Sequence, residues 1–270
     1  MKSCVTISLV PSLKGGPWIL WGKLEEALQS ASEMGFDGIE LFTESPSLDS
    51  PDDLGALLAR YNLSLGAVGT GAGKVIHGLS LTDPDKEVRS KAITFIKNMI
   101  DFGAQFGSPT ILGSMQGGST KDVPRDTALD YLSQALEVLG EHAKAGGTFF
   151  IYEPLNRYET NLFNHFNEAA TFLKGLSTDS VKLLADLFHM NIEEENIAEA
   201  IKSDSKHLGH VHFADSNRRP VGYGHSNITP IAACLKEINF KGYISAEAFP
   251  WPDPQLAAQK TIDSYRKFFT

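Results

Sequence analysis

The feature that most constrains the fold of this sequence is a regular alternation of short apolar segments with longer amphipathic ones. The short segments are apolar or β-branched almost throughout, which is typical of strands buried on both faces of a parallel sheet. Alternating strands and helices imply right-handed βαβ units, and eight such units in 270 residues favour a closed α/β barrel of the (β/α)8, or TIM, type. The eight predicted strands cover residues 4–10, 37–42, 64–68, 109–113, 148–153, 181–186, 208–213 and 243–247.

The segments between the strands carry apolar residues at helical spacing, and some have clear stop signals. Gly35 ends the helix predicted at 24–34, and two glycines follow the helix predicted at 126–145. The other predicted helices cover residues 51–61, 85–106, 166–173, a segment that starts at Glu193, 228–238 and 254–269. Because no linker rich in proline or serine divides the chain, residues 1–270 are predicted to form one domain.

Composition narrows the classes of function. A formal net charge of -9 argues against a nucleic-acid or anionic-membrane partner, since both require a basic face. No apolar run approaches the roughly 20 residues of a membrane span, and residues 1–3 lead straight into a strand rather than a signal peptide. We therefore expect a cytoplasmic protein. The two cysteines, Cys4 and Cys234, are expected to be buried free thiols.

Four strands in the second half of the chain end on, or close to, a side chain that can bind a metal. These residues are Glu153, Asp186, His212 and Glu247. In an α/β barrel the carboxyl ends of the strands meet at one mouth, where three carboxylates would repel one another unless a cation neutralised them. Oxygen ligands with one imidazole suit Mn²⁺, Mg²⁺ or Co²⁺ better than structural zinc. Taken singly, each carboxylate could instead cap the following helix.

Three further polar residues lie in the loops that leave these strands. Glu159 follows Glu153 by six residues, His189 follows Asp186 by three, and Arg218 follows His212 by six. All three can face the same mouth. Their alternative interpretations are a surface partner of Arg157 for Glu159, a position beside a helix N-cap for His189 and a solvated loop charge for Arg218.

A glycine-rich segment, Gly69-Thr70-Gly71-Ala72-Gly73, follows the third predicted strand. Its spacing is neither that of a dinucleotide-binding motif nor that of a P-loop, so we interpret it as a flexible loop at the barrel mouth. Whether a substrate carries a phosphate stays open at this point. Lys74, Ser114 and Arg219 could serve a phosphate, but none lies in a known phosphate motif.

The motifs around these residues resemble the sugar isomerase/epimerase branch of the xylose-isomerase-like barrels, and most closely the ketose 3-epimerases of the D-tagatose and D-psicose type. The motifs are Glu153-Pro-Leu-Asn-Arg-Tyr-Glu159, Asp186-Leu-Phe-His-Met-Asn-Ile-Glu-Glu194, His212 with Ser216-Asn-Arg-Arg219, and Ala246-Glu-Ala-Phe249. The chain departs from these enzymes at Leu187, where threonine is common, and at Ala214-Asp215, where glycine and glutamate are common. Its N-terminal half is much less similar.

The resemblance implies a role for each residue. Glu153, Asp186, His212 and Glu247 would bind one divalent metal ion, with Mn²⁺ preferred and Mg²⁺, Co²⁺ or Zn²⁺ compatible. Glu153 and Glu247 would also be the catalytic pair that transfers protons. The substrate-binding residues Glu159, His189 and Arg218 would hold the carbonyl end of a sugar and its C2–C3 oxygens.

We therefore expect a metal-dependent isomerase, most specifically one that inverts C3 of a ketose or ketose phosphate through an enediolate. Aldose–ketose or hydroxypyruvate-type isomerisation at the same site is the first alternative. An apurinic endonuclease-like enzyme and a non-catalytic sugar-binding barrel are less favoured. A homodimer or homotetramer is compatible with the sequence, since an exposed aromatic residue such as Trp251 would suit an interface.

Overall fold

The computed structural model describes residues 1–46, 48 and 51–270, and it shows the predicted barrel. All neighbouring strands pair in parallel, and the sheet closes where residues 2–5 pair with residues 243–246. The strands are β1 Lys2–Ser8, β2 Leu20–Trp21, β3 Gly38–Phe42, β4 Ser64–Gly69, β5 Thr110–Leu112, β6 Phe150–Tyr152, β7 Val181–Asp186, β8 Leu208–His212 and β9 Tyr243–Ala246. Strand β2 pairs only with β1 among the described strands, so the closed barrel consists of β1 and β3–β9.

The helices surround this barrel, most of them at the predicted places. They are α1 Leu24–Met34, α2 Pro51–Tyr61, α3 Ala72–Val75, α4 Lys86–Ala104, α5 Arg125–Ala145, α6 Phe166–Lys174, α7 Leu187–Glu193, α8 Ile197–Ser203, α9 Ile228–Glu237 and α10 Pro254–Phe269. The helix predicted to start at Glu193 was placed wrongly, because helix α7 starts directly after Asp186 and ends at Glu193. No described helix has the length and apolar character needed to cross a membrane.

Alternation along the strands decides which side chains reach the site. Ile151 and Leu184 belong to a small cluster that fills the barrel centre, together with Ala67 and Ile111. Side chains two residues apart on a strand point the same way. Asp186 lies two residues after Leu184 and therefore also points inward. Glu153 lies two residues after Ile151, one residue beyond the end of β6, and points inward for the same reason. Both carboxylates consequently lie above this apolar cluster.

The larger core lies between the strands and the helices. It contains the outward-facing strand residues, such as Phe150 and Leu183, and the apolar faces of the helices, such as Leu132 and Leu136 of α5. Both cysteines are free and buried, as expected. This layer fixes the strands, so the residues at their carboxyl ends are presented from a rigid frame.

Candidate metal centre and active site

The four predicted metal ligands converge at the mouth of the barrel. One ligand atom from each of Glu153, Asp186, His212 and Glu247 can be chosen so that all four lie within 4.8 Å of one another. The Nδ1 atom of His212 is central to the cluster. It lies 3.3 Å from Oδ2 of Asp186, 3.4 Å from Oε1 of Glu153 and 3.6 Å from Oε2 of Glu247.

Asp186 both caps a helix and faces the cluster, the two roles that its sequence position allowed. Its Oδ1 atom accepts hydrogen bonds from the backbone N–H groups of Phe188, at 2.7 Å, and His189, at 3.2 Å, and so caps helix α7. Its Oδ2 atom faces the cluster. The cap therefore orients the carboxylate while leaving one oxygen for a cation.

The carboxylates of the cluster are buried close to one another, and this shifts the pKa values of its members. Burial raises the pKa of Glu153 to about 7; the charge of Glu247 adds to the shift, and His212 opposes it. Burial by itself would lower the pKa of His212, but the surrounding carboxylates, led by Glu40, outweigh it and raise that pKa well above its usual range. Burial and crowding of the carboxylates thus favour proton binding at both Glu153 and His212.

A buried carboxylate oxygen supports the interpretation of the cluster as a metal site. Oε1 of Glu153 is buried and has no hydrogen bond of good geometry among the described residues, and Nδ1 of His212 lies 3.4 Å from it. A buried carboxylate oxygen in this condition is costly, and a divalent cation would satisfy it. The donor set of three carboxylates and one imidazole therefore fits the divalent ion expected from the sequence.

His189 lies beside the cluster and directs one nitrogen into it. Its Nδ1 atom accepts a hydrogen bond of 3.3 Å from the backbone N–H of Asn156, so the proton of a neutral ring is on Nε2. That Nε2 atom is buried, has no hydrogen-bond partner among the described residues and lies 3.7 Å from Oδ2 of Asp186. His189 is therefore an oriented donor at the cluster. Asn156, which fixes this orientation, was not singled out from the sequence.

Arg218 reaches the cluster from the loop that follows β8. Its backbone is left-handed, with φ of 55°. The guanidinium lies 4.9 Å from the ring centre of Phe188 and donates a hydrogen bond to Oε2 of Glu247. Burial alone would lower the pKa of Arg218, but the nearby carboxylates, led by Glu247, raise it, so the group is a permanent cation.

The loop that presents Arg218 is organised by Asp215. Its carboxylate accepts hydrogen bonds from the backbone N–H groups of Ser216, Gly222 and Ser226, at 2.7 to 2.9 Å. These bonds span the loop from one end to the other. The aspartate at which this chain departs from the ketose 3-epimerase motif thus has a local structural role.

A cavity of about 250 Å³ opens over the cluster. Every predicted site residue lines it except Asp186, which is buried. Glu159 is the most open of these residues in the structure, with 42% of its side chain exposed, and it accepts a hydrogen bond from Nδ2 of Asn156. Much of the remaining lining is apolar, and it includes Trp18 and Phe42, whose ring centres are 4.2 Å apart.

The glycine-rich segment packs against this apolar wall. A Cβ atom on Gly69 or Gly71 would lie 2.9 or 3.0 Å from the ring of Phe42, so the glycines allow close packing. The segment was predicted to be a flexible loop, but Gly69 ends strand β4 and helix α3 starts at Ala72. Contact with Phe42 therefore accounts for these two glycines without a phosphate.

Comparison with known proteins places the chain in a family. The family model described as xylose isomerase-like TIM barrel matches residues 28–268. The chain belongs to this family. The fold and the resemblance predicted from the sequence are both confirmed.

Two epimerases are similar in sequence to this chain, one over most of its length and one over half of it. The D-psicose 3-epimerase of Agrobacterium fabrum is 30% identical over 244 residues, which cover 88% of this chain and 80% of that enzyme. The 3-dehydro-D-guloside 4-epimerase of Escherichia coli is 33% identical over 135 residues, about half of each chain. Because these relatives are epimerases, which are isomerase-class enzymes, the predicted enzyme class is confirmed.

A solved structure supports the fold. The D-psicose 3-epimerase of Clostridium cellulolyticum H10 with D-tagatose superposes with a TM-score of 0.83 at 23% sequence identity. That match covers 100% of this chain and 99% of the other.

Two residues next to the cluster were not predicted as site residues from the sequence. Glu40 and His210 lie next to the cluster, and with His212 they form a second group of potential ligands. Burial alone would raise the pKa of Glu40, but the two imidazoles hold it well below its usual range, so this carboxylate is charged. The available signal was alternation: Glu40 shares an inward face with Phe42, and His210 lies two residues before His212.

Proposed function

We propose that this protein is a metal-dependent sugar epimerase that inverts a carbon next to a ketone, most specifically C3 of a ketose. The observation that carries the proposal is the convergence of three carboxylates and one imidazole, with one buried carboxylate oxygen unsatisfied among the described residues. The similarity to enzymes named D-psicose 3-epimerase and 3-dehydro-D-guloside 4-epimerase supports a reaction at a carbon beside a carbonyl.

Glu153, Asp186, His212 and Glu247 are the ligands that we propose for one divalent ion. Mn²⁺ is our first choice because the donors are mainly oxygen, and Mg²⁺, Co²⁺ and Zn²⁺ are the alternatives. When bound, the ion supplies positive charge that stabilises the enediolate formed as the proton leaves.

Glu153 and Glu247 are the acid–base pair in this proposal. They follow strands β6 and β9, which are separated by two strands around the barrel, so they approach the mouth from different directions. Positioned carboxylates of this kind can remove a proton from a reacting carbon and return one. One carboxylate removes the proton from the carbon, and the other returns a proton to the opposite face.

The remaining site residues would hold the substrate. The Nε2–H group of His189 has no hydrogen-bond acceptor among the described residues, so it can donate to a substrate oxygen. Arg218 and Glu159 line the same cavity and supply a cation and an exposed acceptor. They suit the hydroxyl and carbonyl oxygens of a sugar better than an apolar ligand.

An uncharged sugar fits this cavity better than a sugar phosphate. Arg218 is the single lysine or arginine among the described lining residues, and Glu247 already pairs with it. Lys74 lines a neighbouring cleft instead, and Arg219 stacks on Trp251 at 4.1 Å. The cations that could have served a phosphate therefore lie outside the cavity.

The proposal is tested by solvent exchange. The protein, loaded with Mn²⁺, is incubated in D₂O with a panel of free ketoses and ketose phosphates, and deuterium at each carbon is followed by NMR together with the identity of the products. Deuterium at C3 with formation of the C3 epimer supports the proposal, whereas an aldose product supports isomerisation instead. No exchange with any sugar, at confirmed metal occupancy, refutes it.

A second candidate substrate is a sugar ketone that carries a further group, such as a keto-glycoside. A cleft of about 460 Å³ adjoins the cavity and shares Ser114 and Glu159 with it. The exposed residues Thr120 and Asn161 line this cleft, and polar side chains of this kind suit a second sugar unit. The similarity to an enzyme named for a guloside favours the same substrate class. Exchange at C4 of a 3-keto-glycoside would identify this activity.

We also propose that the protein forms a homodimer or homotetramer. The large apolar side chains that follow β9, Phe249 and Trp251, are 38% and 42% exposed. Side chains of this kind are enriched at protein interfaces. Sedimentation velocity, compared between the wild type and Trp251→Glu, tests the assembly: the variant should dissociate, and a wild-type monomer at micromolar concentration would contradict it.

A further inference from the structure

Glu40 crosses the barrel to reach the histidine of the cluster. It lies on β3, whereas His210 and His212 lie on β8, and in the closed ring β9 and β1 separate those two strands. Oε1 of Glu40 lies 3.2 Å from Nε2 of His212, and Oε2 lies 2.9 Å from Nε2 of His210. All three side chains are at most 6% exposed. Each carboxylate oxygen therefore has one imidazole partner.

These contacts determine which nitrogens carry protons. Each oxygen of Glu40 lies within hydrogen-bond distance of one Nε2 atom, and a carboxylate that faces two imidazoles accepts from both, so both Nε2 atoms are the donors. With its proton on Nε2, a neutral His212 presents the lone pair of Nδ1, and Nδ1 is the atom that faces Asp186, Glu153 and Glu247. Metal-binding histidines in proteins commonly donate their second N–H to a carboxylate in this way.

We propose that Glu40 is a positioning residue that fixes the tautomer and orientation of His212 for metal binding, and that His210 holds Glu40 in place. This inference rests on the metal site of the proposed function. It adds a residue that binds neither the metal nor the reacting carbon, and it assigns Nδ1 of His212 as the ligand atom.

A glutamine at position 40 is the sharpest perturbation, because it keeps the shape and changes only the donors. An amide offers one oxygen acceptor and one NH₂ donor, so it cannot accept a hydrogen bond at both ends. One of the two imidazoles must then lose its partner or move its proton to Nδ1. If that imidazole is His212, the proton occupies the nitrogen that would bind the metal.

The first measurement is the dissociation constant for Mn²⁺, obtained for the full chain by competition with a chelator. Glu40→Gln should weaken binding about 10- to 100-fold, the usual effect of losing such a partner. Glu44→Gln is the matched control, since Glu44 follows the same strand and is exposed. Saturating Mn²⁺ should restore most of the turnover of Glu40→Gln, because Glu40 takes no part in the reaction itself.

The second measurement needs no variant at position 40. In the wild type, ¹⁵N NMR of histidine with diamagnetic Zn²⁺ should show His212 protonated at Nε2 and coordinated at Nδ1, with His210→Gln used to assign the signals. Coordination through Nε2 would overturn the inference even if Glu40→Gln failed to fold.

The outcomes separate this inference from the proposed function. A wild type that binds no divalent ion refutes both. A wild type that binds Mn²⁺ and a Glu40→Gln variant that binds it equally well refute only the role of Glu40. Weaker turnover in Glu40→Gln that saturating Mn²⁺ does not restore would make Glu40 part of the reaction and would also refute a purely positioning role.

Discussion

Binding of a divalent ion should release a proton from Glu153, and this release should depend on pH. The pKa of that carboxyl is raised to about 7 by burial, with a contribution from Glu247. The metal needs the ionised form, so protein that still carries the proton must lose it on binding. The perturbation is therefore the addition of Mn²⁺ to metal-free protein at two pH values.

The magnitude follows from the pKa. With a value of about 7, the carboxyl is about 90% protonated at pH 6 and about 10% protonated at pH 8. Glu153 therefore contributes about 0.8 more released protons at pH 6 than at pH 8. Any proton that His212 also loses on binding is held at least as fully at pH 6 as at pH 8, so it cannot reduce this difference.

Isothermal titration calorimetry in two buffers of different ionisation enthalpy counts the protons. Glu153→Gln should abolish most of the difference between pH 6 and pH 8, whereas Glu159→Gln, an equally conservative change at the exposed rim, should keep it. If Glu153→Gln binds Mn²⁺ too weakly to titrate, the test is the difference in proton release between pH 6 and pH 8 in the wild type. Equal proton release at both pH values would refute the argument that burial protonates Glu153.

Further outcomes test the rest of the site. Arg218→Ala should lower kcat/KM by about 10² or more while the metal content stays unchanged, and metal loss would refute a role in substrate binding. Gly113→Ala should lower turnover about tenfold in steady-state assays, because the new Cβ would lie 2.7 Å from Oε2 of Glu153; wild-type turnover would show that the carboxylate can give way. Glu153→Gln and Glu247→Gln should each lower turnover by about 10² or more and show opposite preferences for the epimer that exchanges deuterium, and wild-type epimerisation by either would refute the two-base scheme. In metal-free protein, protonated Glu153 contributes up to about 3 kcal/mol of stability, which is fully present below pH 4.5 and is lost as the pH rises through about 7. In chemical denaturation, the free energy of unfolding should therefore fall less with rising pH in Glu153→Gln than in the wild type.

The sequence by itself determined the barrel and the four residues that we propose as metal ligands. Strand and helix periodicities are local, and alternation along a strand fixes which side chains share a face. Once eight parallel strands are expected, Asp186 and His212 at the ends of neighbouring strands must meet at one mouth. Their convergence with Glu153 and Glu247 was therefore predictable from positions within each strand.

Only the tertiary structure decided how these ligands are held. Glu40 lies 172 residues from His212, and closure of the barrel brings the two side chains to 3.2 Å. Trp18 and Phe42 stack across a loop and a strand to form part of the cavity wall. No local period encodes such contacts, because they depend on how the whole ring of strands closes and on which loops fold over its mouth. The residues that would carry the chemistry follow a local pattern, whereas those that orient them are set by packing between distant parts of the chain.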